Sequence, residues 1–460
     1  MLLVIKLGGN TMKKTDVLVI GGSATGLVAA ATAKSNNPDK QVTLIRKEKK
    51  VMIPCGIPYI YGTTKTSDNN VLPDGGLVKL GVDIVIDEVI SVDTEAKSCK
   101  TKSDETFEYD KLIMGTGSQP SVPKWLSGTE LDNVFTIPKN KVYLDSLQEK
   151  MKDFNKIVVV GAGFIGVETS DELNKAGKEV ILVELLPHIL GATFDDEFAL
   201  DAQENLISRG VKVKTNCGIK SITGSGKVEG VTFNDGSSLE ADAVILSLGY
   251  LPNTSLAKDM GLQLNKFGFI KADQYRRTSI KDVFAAGDCA EKTDFSTGKL
   301  SRIMLASTAC TEARIAAMNL YDLSTYSIFK GTVGIYSTCI GNSAYGVAGL
   351  IEKVATAEGF KIVTGSFTGV NRHPGKIDDA HKETVKLIVS EKSGVILGGE
   401  ALGGKSVGQL INAIGIAIQN HMTVHDLIMT QIGTQPLLTA SPAGFPLIKA
   451  GEVVAKKMNN

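Results

Sequence analysis

One stretch of this chain decides its fold: residues 156–184 read KIVVVGAGFIGVETSDELNKAGKEVILVE. An apolar strand pattern, a glycine-rich turn, a helical pattern and a second apolar strand pattern follow one another in it. The turn carries Gly161, Gly163 and Gly166, a spacing that lets the backbone approach a pyrophosphate at the N-terminus of the following helix. The stretch therefore predicts a βαβ unit that binds a dinucleotide.

Glu184 stands at the end of the second strand of this unit. A carboxylate at that place accepts hydrogen bonds from a ribose 2′-hydroxyl and repels a 2′-phosphate. A solvated surface glutamate is the alternative interpretation, but the position directly after an apolar strand favours the ribose contact. The sequence thus predicts a preference for NADH over NADPH.

An earlier stretch, residues 16–45, repeats the same order of strand, glycine turn, helix and strand around GGSATG at residues 21–26. Ser23 occupies the second glycine position of this copy. Arg46 stands where an acidic ribose partner is expected, with Glu48 close behind it, and a ribose contact by either residue stays open. Because a repeated βαβ order predicts two parallel sheets, we expect two Rossmann-like nucleotide-binding domains.

The pattern changes from about residue 328, where short strand patterns alternate with turns and a long helix covers 406–420. This region has no nucleotide fingerprint and is typical of an α+β domain. The predicted fold class is therefore α/β, with two Rossmann-like domains followed by a C-terminal α+β domain. Met12, followed by two lysines, resembles an alternative start, so residues 1–11 are predicted to be an extension.

Composition and charge narrow the possible functions. Fifty basic residues balance fifty acidic ones among 460, so neither nucleic acid nor a membrane is expected as a partner. No run approaches the roughly 18–20 apolar residues of a membrane span, and the N-terminal residues lack a signal-peptide pattern. The scattered cysteines and histidines have no metal-ligand or disulfide-framework spacing, so we expect no metal and a cytoplasmic protein.

Cys55 lies in the apolar stretch VMIPCGIPYIY, residues 51–61. A lone cysteine in such a stretch is most often a small buried hydrophobe. Three features favour a reactive thiol instead. Pro54 suits the start of a helix, whose dipole lowers a thiol pKa; Gly56 leaves room for a flat ring; and nearby cations favour the thiolate. These cations are Lys47, Lys49 and Lys50.

No second cysteine lies close to Cys55 in the sequence, so a disulfide within the motif is excluded. Cys310 stays open as a second thiol partner, although a core position is the simpler interpretation for it. Tyr59 and Tyr61 follow Cys55 closely, and either one is placed to donate a hydrogen bond at an active site or to pack there.

Taken together, these motifs resemble the FAD-dependent pyridine nucleotide–disulfide oxidoreductases. More narrowly, the chain is similar to their single-cysteine branch of NADH oxidases, coenzyme A disulfide reductases and NADH-dependent persulfide reductases. The resemblance extends from Met12 to the C-terminus. Besides the fingerprint at Gly161, it rests on Ile20-Gly21-Gly22, Pro54-Cys55-Gly56-Ile57-Pro58-Tyr59, Gly115-Thr116-Gly117, Gly249-Tyr250-Leu251-Pro252-Asn253 and Ala286-Gly287-Asp288-Cys289-Ala290.

The resemblance implies a domain order and a set of site residues. The domains are an FAD-binding domain in two parts (12–120 and 255–327), an NAD-binding domain (121–254) and a dimerisation domain (328–460). The implied FAD contacts are Gly21, Ser23, Ala24, Thr25, Gly26, Arg46, Lys47, Pro54, Val89, Thr116, Gly117, Asp288, Ala306 and Ser307. The implied NADH contacts are Gly161, Gly163, Phe164, Ile165, Gly166, Glu184 and Gly249. The implied catalytic residues are Cys55, Glu168, Tyr59 and Tyr61.

This sequence also departs from the family. Gln435-Pro436 stands where related disulfide reductases carry a His-Pro pair that supplies an acid–base group. Phe445 stands nearest to the C-terminal tyrosine of coenzyme A reductases, and Lys34 is the only basic residue in the first helix. Coenzyme A therefore remains an open candidate as ligand or carrier. Water, Tyr59 or Tyr61 is the expected proton source.

The resulting hypothesis is a homodimeric flavoprotein that passes electrons from NADH through FAD to sulfur at Cys55. It would reduce persulfides or low-molecular-weight disulfides of the coenzyme A type. An NADH oxidase or peroxidase, with Cys55 cycling through a sulfenic acid, is the alternative enzyme. A flavoprotein electron carrier or NADH sensor, in which Cys55 only packs, is the alternative from another class.

Overall fold

The computed structural model describes residues 4–7, 10–323 and 326–459. Within these residues, three larger sheets with helices packed on them form a mixed α/β architecture, which confirms the predicted fold class. Among the helices described, none has the length and apolar character that crossing a membrane requires.

The first sheet has eight strands and a mainly parallel centre. Its hydrogen-bonded order is Val82–Ile86, Val42–Arg46, Asn10–Ile20, Thr106–Met114, Ser98–Thr101 and Val89–Asp93, with Val4–Leu7 beside Asn10–Ile20 and Val283–Ala285 beside Thr106–Met114. Its helices are Ala24–Asn36, Gly75–Leu80, Ser255–Asp259 and Ala306–Met318. All five residues of the Val42–Arg46 strand are buried, because helices cover both faces of a parallel sheet.

Two features of this sheet bear on the predicted domain boundaries. The strand Val283–Ala285 returns to it after the whole second sheet has been built, which fits an interrupted first domain. The boundary predicted at Met12 falls inside the strand Asn10–Ile20, and the backbone of residues 4–7 pairs with the start of that strand. The remainder of the predicted extension lies outside the described residues.

The second sheet has five parallel strands in the order Val134–Thr136, Ala243–Leu246, Lys156–Val160, Glu179–Val183 and Lys212–Lys214. Its helices are Lys141–Lys150, Phe164–Lys175 and Asp196–Ser208. A small antiparallel sheet of Ile219–Thr223, Gly230–Phe233 and Ser238–Glu240 flanks it. The βαβ unit predicted for residues 156–184 is therefore present.

The third sheet is antiparallel, in the order Ile335–Ile340, Ser343–Gly349, Ile396–Gly403, Lys382–Ser390 and Ile362–Val370. Its helices are Glu352–Ala357, Val407–Gln419, Val424–Ile428 and Pro446–Met458. Short two-stranded pairs connect the larger parts: Val51–Met52 with Val71–Leu72, Ser118–Pro120 with Tyr250–Pro252, and Lys292–Thr293 with Leu300–Ser301. The C-terminal region is thus the α+β unit that the pattern predicts.

Each sheet together with its helices is called that sheet's layer below. Buried charges join the second sheet's layer to the third sheet's layer. Asp195, just before the helix Asp196–Ser208, accepts hydrogen bonds from the backbone amides of Glu352 (2.9 Å) and Lys353 (3.3 Å). It thereby satisfies amides at the start of a helix in the other layer. Lys386 of the third sheet donates to the same carboxylate at 3.0 Å, and both side chains are almost fully buried.

Asp195, Glu197 and Glu400 are close enough together to share a metal ion. The ammonium group of Lys386 already lies among these carboxylates, 2.6 Å from Glu197. The cluster is therefore an interdomain ion-pair network, and the prediction that the chain needs no metal stays a prediction.

We predict that Asp195→Ala destabilises the protein by about 3 kcal/mol, because it leaves two backbone amides without their acceptor and removes the buried one of the three carboxylates that pair with Lys386. The midpoint of thermal unfolding, followed by circular dichroism, is expected to fall by about 3–6 °C. Asp196→Ala is the matched control, since its side chain is 77% exposed and its loss should change little. Equal midpoints for Asp195→Ala and the unsubstituted protein would contradict the prediction.

Candidate active site

The first glycine turn connects the central strand of the first sheet to its first helix. Gly21 has a φ of +106°, and a Cβ there would lie 2.2 Å from the carbonyl oxygen of Gly115. A Cβ at Gly26 would lie 1.7 Å from the carbonyl oxygen of Gly21, so only glycine lets the helix begin this close to the strand. Ser23 is the N-cap residue, and its side chain makes no capping hydrogen bond. The predicted FAD residues Gly21, Ser23, Ala24, Thr25 and Gly26 thus surround one helix N-terminus.

The second glycine turn repeats this geometry. Gly161 has a φ of +93°, and a Cβ at Gly166 would lie 1.9 Å from the Gly161 carbonyl oxygen. A Cβ at Gly163 would meet no atom within 4 Å, which leaves the space above the helix N-terminus open. Glu184 accepts hydrogen bonds from the amides of Ala162 (2.7 Å) and Leu186 (2.9 Å). Its carboxylate therefore lies at the turn, where the sequence places the ribose.

Phe164 and Ile165 open the helix Phe164–Lys175, and one side of each side chain packs against the protein. The Phe164 ring stacks on Tyr336 of the third sheet, with ring centroids 5.1 Å apart. Ile165 packs against the core of the second sheet's layer. Both side chains remain half-buried, and their contact with NADH stays a prediction.

Arg46 is held inside the protein. Its guanidinium makes two hydrogen bonds to the Asp74 carboxylate, at 2.7 and 2.6 Å, and two more to the carbonyl oxygens of Glu48 and Lys49. Its aliphatic stem covers Gly22, where a Cβ would lie 2.2 Å from it. Arg46 thus supports the turn by packing against Gly22 from inside the protein. Its contact with ribose stays a prediction.

The other predicted FAD residues are distributed along the same edge. Thr116 donates to the Asn253 carbonyl oxygen at 2.6 Å, and Gly117 has a φ of +70° with open space around it. Gly249, predicted for NADH, has a φ of +83° and is similarly open. The remaining residues are the exposed Lys47, the half-buried Val89 at a strand start, and Ala306 and Ser307 at the start of a helix.

Asp288 lies in a short 3₁₀ turn after the strand Val283–Ala285. Its carboxylate accepts hydrogen bonds from Lys139 Nζ at 2.7 Å and from Ser118 Oγ at 2.8 Å. Burial raises the pKa of Asp288, but the charge of Lys139 and these hydrogen bonds outweigh it and hold the pKa below its ordinary value. Asp288 is thus an anion presented next to Gly117.

Buried charged side chains fix the peptide that precedes Asp288. The Gly287 amide donates to Glu312 at 2.6 Å, and the Gly287 carbonyl oxygen accepts from Lys292 at 3.1 Å. Gly287 has a φ of +79°, and a Cβ there would lie 2.1 Å from the Thr25 hydroxyl. The turn that presents Asp288 is therefore packed directly against the first glycine turn.

The structure corrects two of the reasons given for a reactive Cys55. The thiol lies in a three-residue 3₁₀ turn, Pro54–Gly56, and not at the start of an α-helix, so a helix dipole does not act on it. A Cβ at Gly56 would lie 2.0 Å from Asn70 Oδ1, so Gly56 makes room for Asn70 and not for a flat ring. Asn70 in turn donates to the Ile53 carbonyl oxygen and holds the turn.

The charges around Cys55 also differ from the predicted ones. Cys55 belongs to the exposed residues, yet dense packing around its sulfur is the main cause of a raised thiol pKa. Glu168 and Asp288 raise this pKa further, and Lys139 lowers it. Lys139, not the predicted lysines near residue 50, is the strongest cationic influence; Lys50 itself pairs with Asp68 at 3.0 Å.

Glu168, on the helix Phe164–Lys175, links three segments of the chain. It accepts a hydrogen bond from Thr338 of the third sheet at 2.8 Å and a further one from the hydroxyl of Tyr59. Burial raises the pKa of Glu168 to about 7, although both hydrogen bonds lower it. Burial and then the charge of Glu168 raise the pKa of Tyr59, so Tyr59 is a hydrogen-bond donor at neutral pH.

Tyr61 is a correction to the predicted catalytic set. It is buried in the core of the second sheet's layer, and its hydroxyl has no hydrogen-bond partner in the described chain. Burial, then Tyr143 and Tyr250, raise the pKa of Tyr61, and neither Cys55 nor Glu168 is among the causes. The structure therefore gives Tyr61 a packing role.

Gln435, which stands where related reductases carry histidine, accepts a hydrogen bond from the Leu437 amide at 2.8 Å within its own exposed turn. His373 lies against this segment, with Nδ1 3.0 Å from the Thr439 carbonyl oxygen and its amide bonded to the Pro436 carbonyl oxygen. All six cysteines are free. Cys310, left open as a partner, is near enough to raise the pKa of the Cys55 thiol.

Sequence reasoning missed Lys139 and Thr338, which contact Asp288 and Glu168. Neither residue lies in a motif, and tertiary packing alone brings each to the site. Of the predicted residues, the structure brings together Cys55, Tyr59, Glu168 and Asp288. With the open space at Gly117, Gly163 and Gly249 and the two uncapped helix N-termini, these residues fit a flavin dinucleotide at the first turn and a nicotinamide dinucleotide at the second.

Known proteins resemble the chain over almost its full length. The family model described as "Pyridine nucleotide-disulphide oxidoreductase" matches residues 15–313, and the model of that family's dimerisation domain matches residues 335–443. An NADH oxidase of Methanocaldococcus jannaschii is 31% identical, over 96% of this chain and 99% of its own. An NAD(P)H coenzyme A polysulfide/persulfide reductase of Pyrococcus horikoshii is 29% identical, over 97% of this chain and 99% of its own.

A solved NAD-dependent persulfide reductase from A. fulgidus has the same fold, with a TM-score of 0.88 at 28% identity over 96% of this chain and 84% of that one. The matched models cover both nucleotide-binding regions and the C-terminal sheet. The chain belongs to the pyridine nucleotide-disulphide oxidoreductase family, whose members use FAD and NAD(P)H.

Proposed function

We propose that this chain is an NADH:sulfur oxidoreductase that reduces persulfides or low-molecular-weight disulfides, of the coenzyme A type, at Cys55. The observation that carries the proposal is the environment of Glu168: its charge acts on the Cys55 thiol, and burial raises its own pKa to about 7. The Pyrococcus horikoshii relative, named as a coenzyme A persulfide reductase, supports this acceptor class. We also propose a homodimer in the cytoplasm, the former supported by the matched dimerisation domain.

FAD would be held at the first glycine turn, Thr116, Gly117 and Asp288, and NADH at the second turn with Glu184 on its ribose. When bound, FAD would supply the two-electron chemistry that links NADH to the sulfur acceptor. The protein's own part is to orient both groups by backbone amides and to manage the proton of the thiol. Both dinucleotides would be held at helix N-termini, where backbone amides offer hydrogen bonds to phosphate.

Glu168 manages that proton in the proposed mechanism. Because burial raises its pKa to about 7, its carboxylate form is available near neutral pH to take the proton of Cys55 as the sulfur attacks the outer sulfur of R–S–SH. The new bond gives Cys55–S–SH, and the released R–S⁻ takes the proton back from Glu168. Two electrons and one proton then convert Cys55–S–SH into the Cys55 thiolate and H₂S. Tyr59 and Thr338 hold the carboxylate in place by hydrogen bonds.

Oxygen or peroxide is the second candidate acceptor, with Cys55 cycling through a sulfenic acid. The name of the Methanocaldococcus jannaschii relative, an NADH oxidase, favours this alternative. Both acceptors use the same thiol, so the distinction rests on which one accelerates NADH consumption.

Cys55→Ser is expected to abolish the NADH oxidation that coenzyme A persulfide elicits without air, because Cys55 is the thiol on which the charges of both Glu168 and Lys139 act. The rate of absorbance loss at 340 nm measures it, and FAD content should be unchanged. Cys217→Ser, a half-buried cysteine of the second sheet's layer, is the matched control and should keep full activity. Persulfide turnover at the original rate in Cys55→Ser would refute the thiol mechanism. NADH consumption by the unsubstituted protein only in air would favour the oxidase.

Glu168→Gln is expected to lower kcat/KM for the persulfide by about 10²–10³-fold, since an amide cannot accept the thiol proton. In the unsubstituted protein, kcat/KM should rise as pH increases through about 7, because Glu168 is protonated and inactive as a base below that pH. This acidic limb should be missing in Glu168→Gln. Glu204→Gln, an exposed change of the same kind, serves as the control. An acidic limb that persists in Glu168→Gln would assign the pKa to another group.

Glu184→Ala is expected to raise KM for NADH about tenfold and to narrow the preference for NADH over NADPH, because the repulsion of a 2′-phosphate is removed. The ratio of kcat/KM for the two coenzymes measures this, with Glu179→Ala at the far end of the same strand as the control. If the unsubstituted protein used NADPH better than NADH, the role given to Glu184 would be wrong.

A further inference from the structure

Lys139 connects parts of the site that come from different regions of the chain. It lies between the strand Val134–Thr136 and the helix Lys141–Lys150 of the second sheet's layer. Its ammonium group donates to Asp288 Oδ2 at 2.7 Å and to Ser118 Oγ at 3.0 Å. Asp288 follows a strand of the first sheet, so Lys139 links the second sheet's layer to the first sheet's layer.

The loop that carries Lys139 is anchored on both sides of it. The Tyr250 hydroxyl donates to the Ile137 carbonyl oxygen at 2.5 Å, and Asn140 caps the next helix by accepting from the Tyr143 amide at 2.9 Å. The Lys139 ammonium also lies over the Tyr250 ring, 5.5 Å from its centroid. A lysine held by its neighbours in this way loses little further freedom when it acts as a fixed charge.

The charge balance around the thiol makes this cation consequential. Glu168 and Asp288 both disfavour a negative charge on Cys55, and the neighbouring thiol of Cys310 acts in the same direction. Lys139 is the cation that opposes them. The helix Lys141–Lys150, which starts two residues after it, holds the segment that carries Cys55, because Gln148 of this helix donates to the Ile60 carbonyl oxygen at 2.8 Å. Its side chain is only 27% exposed, so water screens its charge less than that of a surface lysine.

We propose that Lys139 is a positioning residue for the reacting sulfur: its ammonium group stabilises the Cys55 thiolate while it fixes the Asp288 carboxylate. The inference rests on the proposed function in that Cys55 is the reacting thiol. Lys139 acts through charge and not through contact with the reacting atoms. Formation of the Cys55 thiolate would therefore depend on the contact of Lys139 with Asp288, which joins the second sheet's layer to the first sheet's layer.

The test is the pH dependence of Cys55 alkylation by iodoacetamide, measured by mass spectrometry of the Cys55 peptide in the FAD-loaded protein. In Lys139→Gln and Lys139→Met, the midpoint of the rate–pH profile should move upward by about one pKa unit. At pH 8 the rate should fall about threefold, because a tenfold loss of thiolate is partly offset by greater nucleophilicity. Lys139→Gln keeps a hydrogen-bond donor for Asp288, so it provides the test even if Lys139→Met does not fold.

Two further variants separate charge from structure. Lys139→Arg keeps the charge and should restore the profile to within about 0.3 units of the original. Lys152→Met, which removes a 68% exposed lysine from the same layer, should leave the profile unchanged. If both neutral variants gave the original midpoint, the inference would be overturned, and Lys139 would serve Asp288 alone.

No NADH or sulfur acceptor is present in this measurement. Failure of the proposed function, seen as full persulfide turnover in Cys55→Ser, is therefore a separate result from failure of the inference on Lys139. FAD content, measured by flavin absorbance after denaturation, detects any loss of the Asp288 contact in the same samples. An unchanged midpoint together with reduced FAD content would also count against the inference.

Discussion

The burial of Glu168 beside Cys55 is the constraint on which the rest of the site depends. A carboxylate packed away from water keeps a proton until about neutral pH, and this one is held by Thr338 and Tyr59. Thr338 comes from the third sheet and Tyr59 from the segment that carries the thiol. The acid–base chemistry that we propose therefore requires all three layers of the molecule to be assembled, although Cys55 and the first glycine turn belong to the first.

The two glycine turns perform the same physical task with different supporting residues. In both, a glycine carbonyl oxygen contacts the third glycine so closely that no side chain fits between strand and helix. Behind the first turn, Arg46 and Asp74 form an internal ion pair; at the second, Glu184 bonds the turn itself. The two turns thus share a backbone geometry but differ in charge. The Glu184 carboxylate lies at the second turn, and the Arg46 guanidinium is buried behind the first.

The sequence identified the parts of the fold and site that depend on local patterns. The glycine turns and the strand that ends just before Glu184 follow from spacing within a few residues, and the reactivity of Cys55 stays a prediction. Lys139 and Thr338 could not be found in this way, because packing between layers brings them to the thiol. The predictions of a helix dipole at Cys55 and of open space at Gly56 were wrong for a related reason. Asn70, which holds the local turn, contacts Gly56 from a neighbouring segment.

The strand Val283–Ala285 has a consequence for how this protein is made. Its partner, the end of Thr106–Met114, is synthesised long before it, with the entire second sheet in between. At ribosomal speeds of about 5–20 residues per second, that edge of the first sheet stays unpaired on the order of ten seconds or more. During this interval the second sheet, whose strands are contiguous in sequence, can fold first. The nascent chain thus exposes an apolar, aggregation-prone edge that a chaperone is suited to cover.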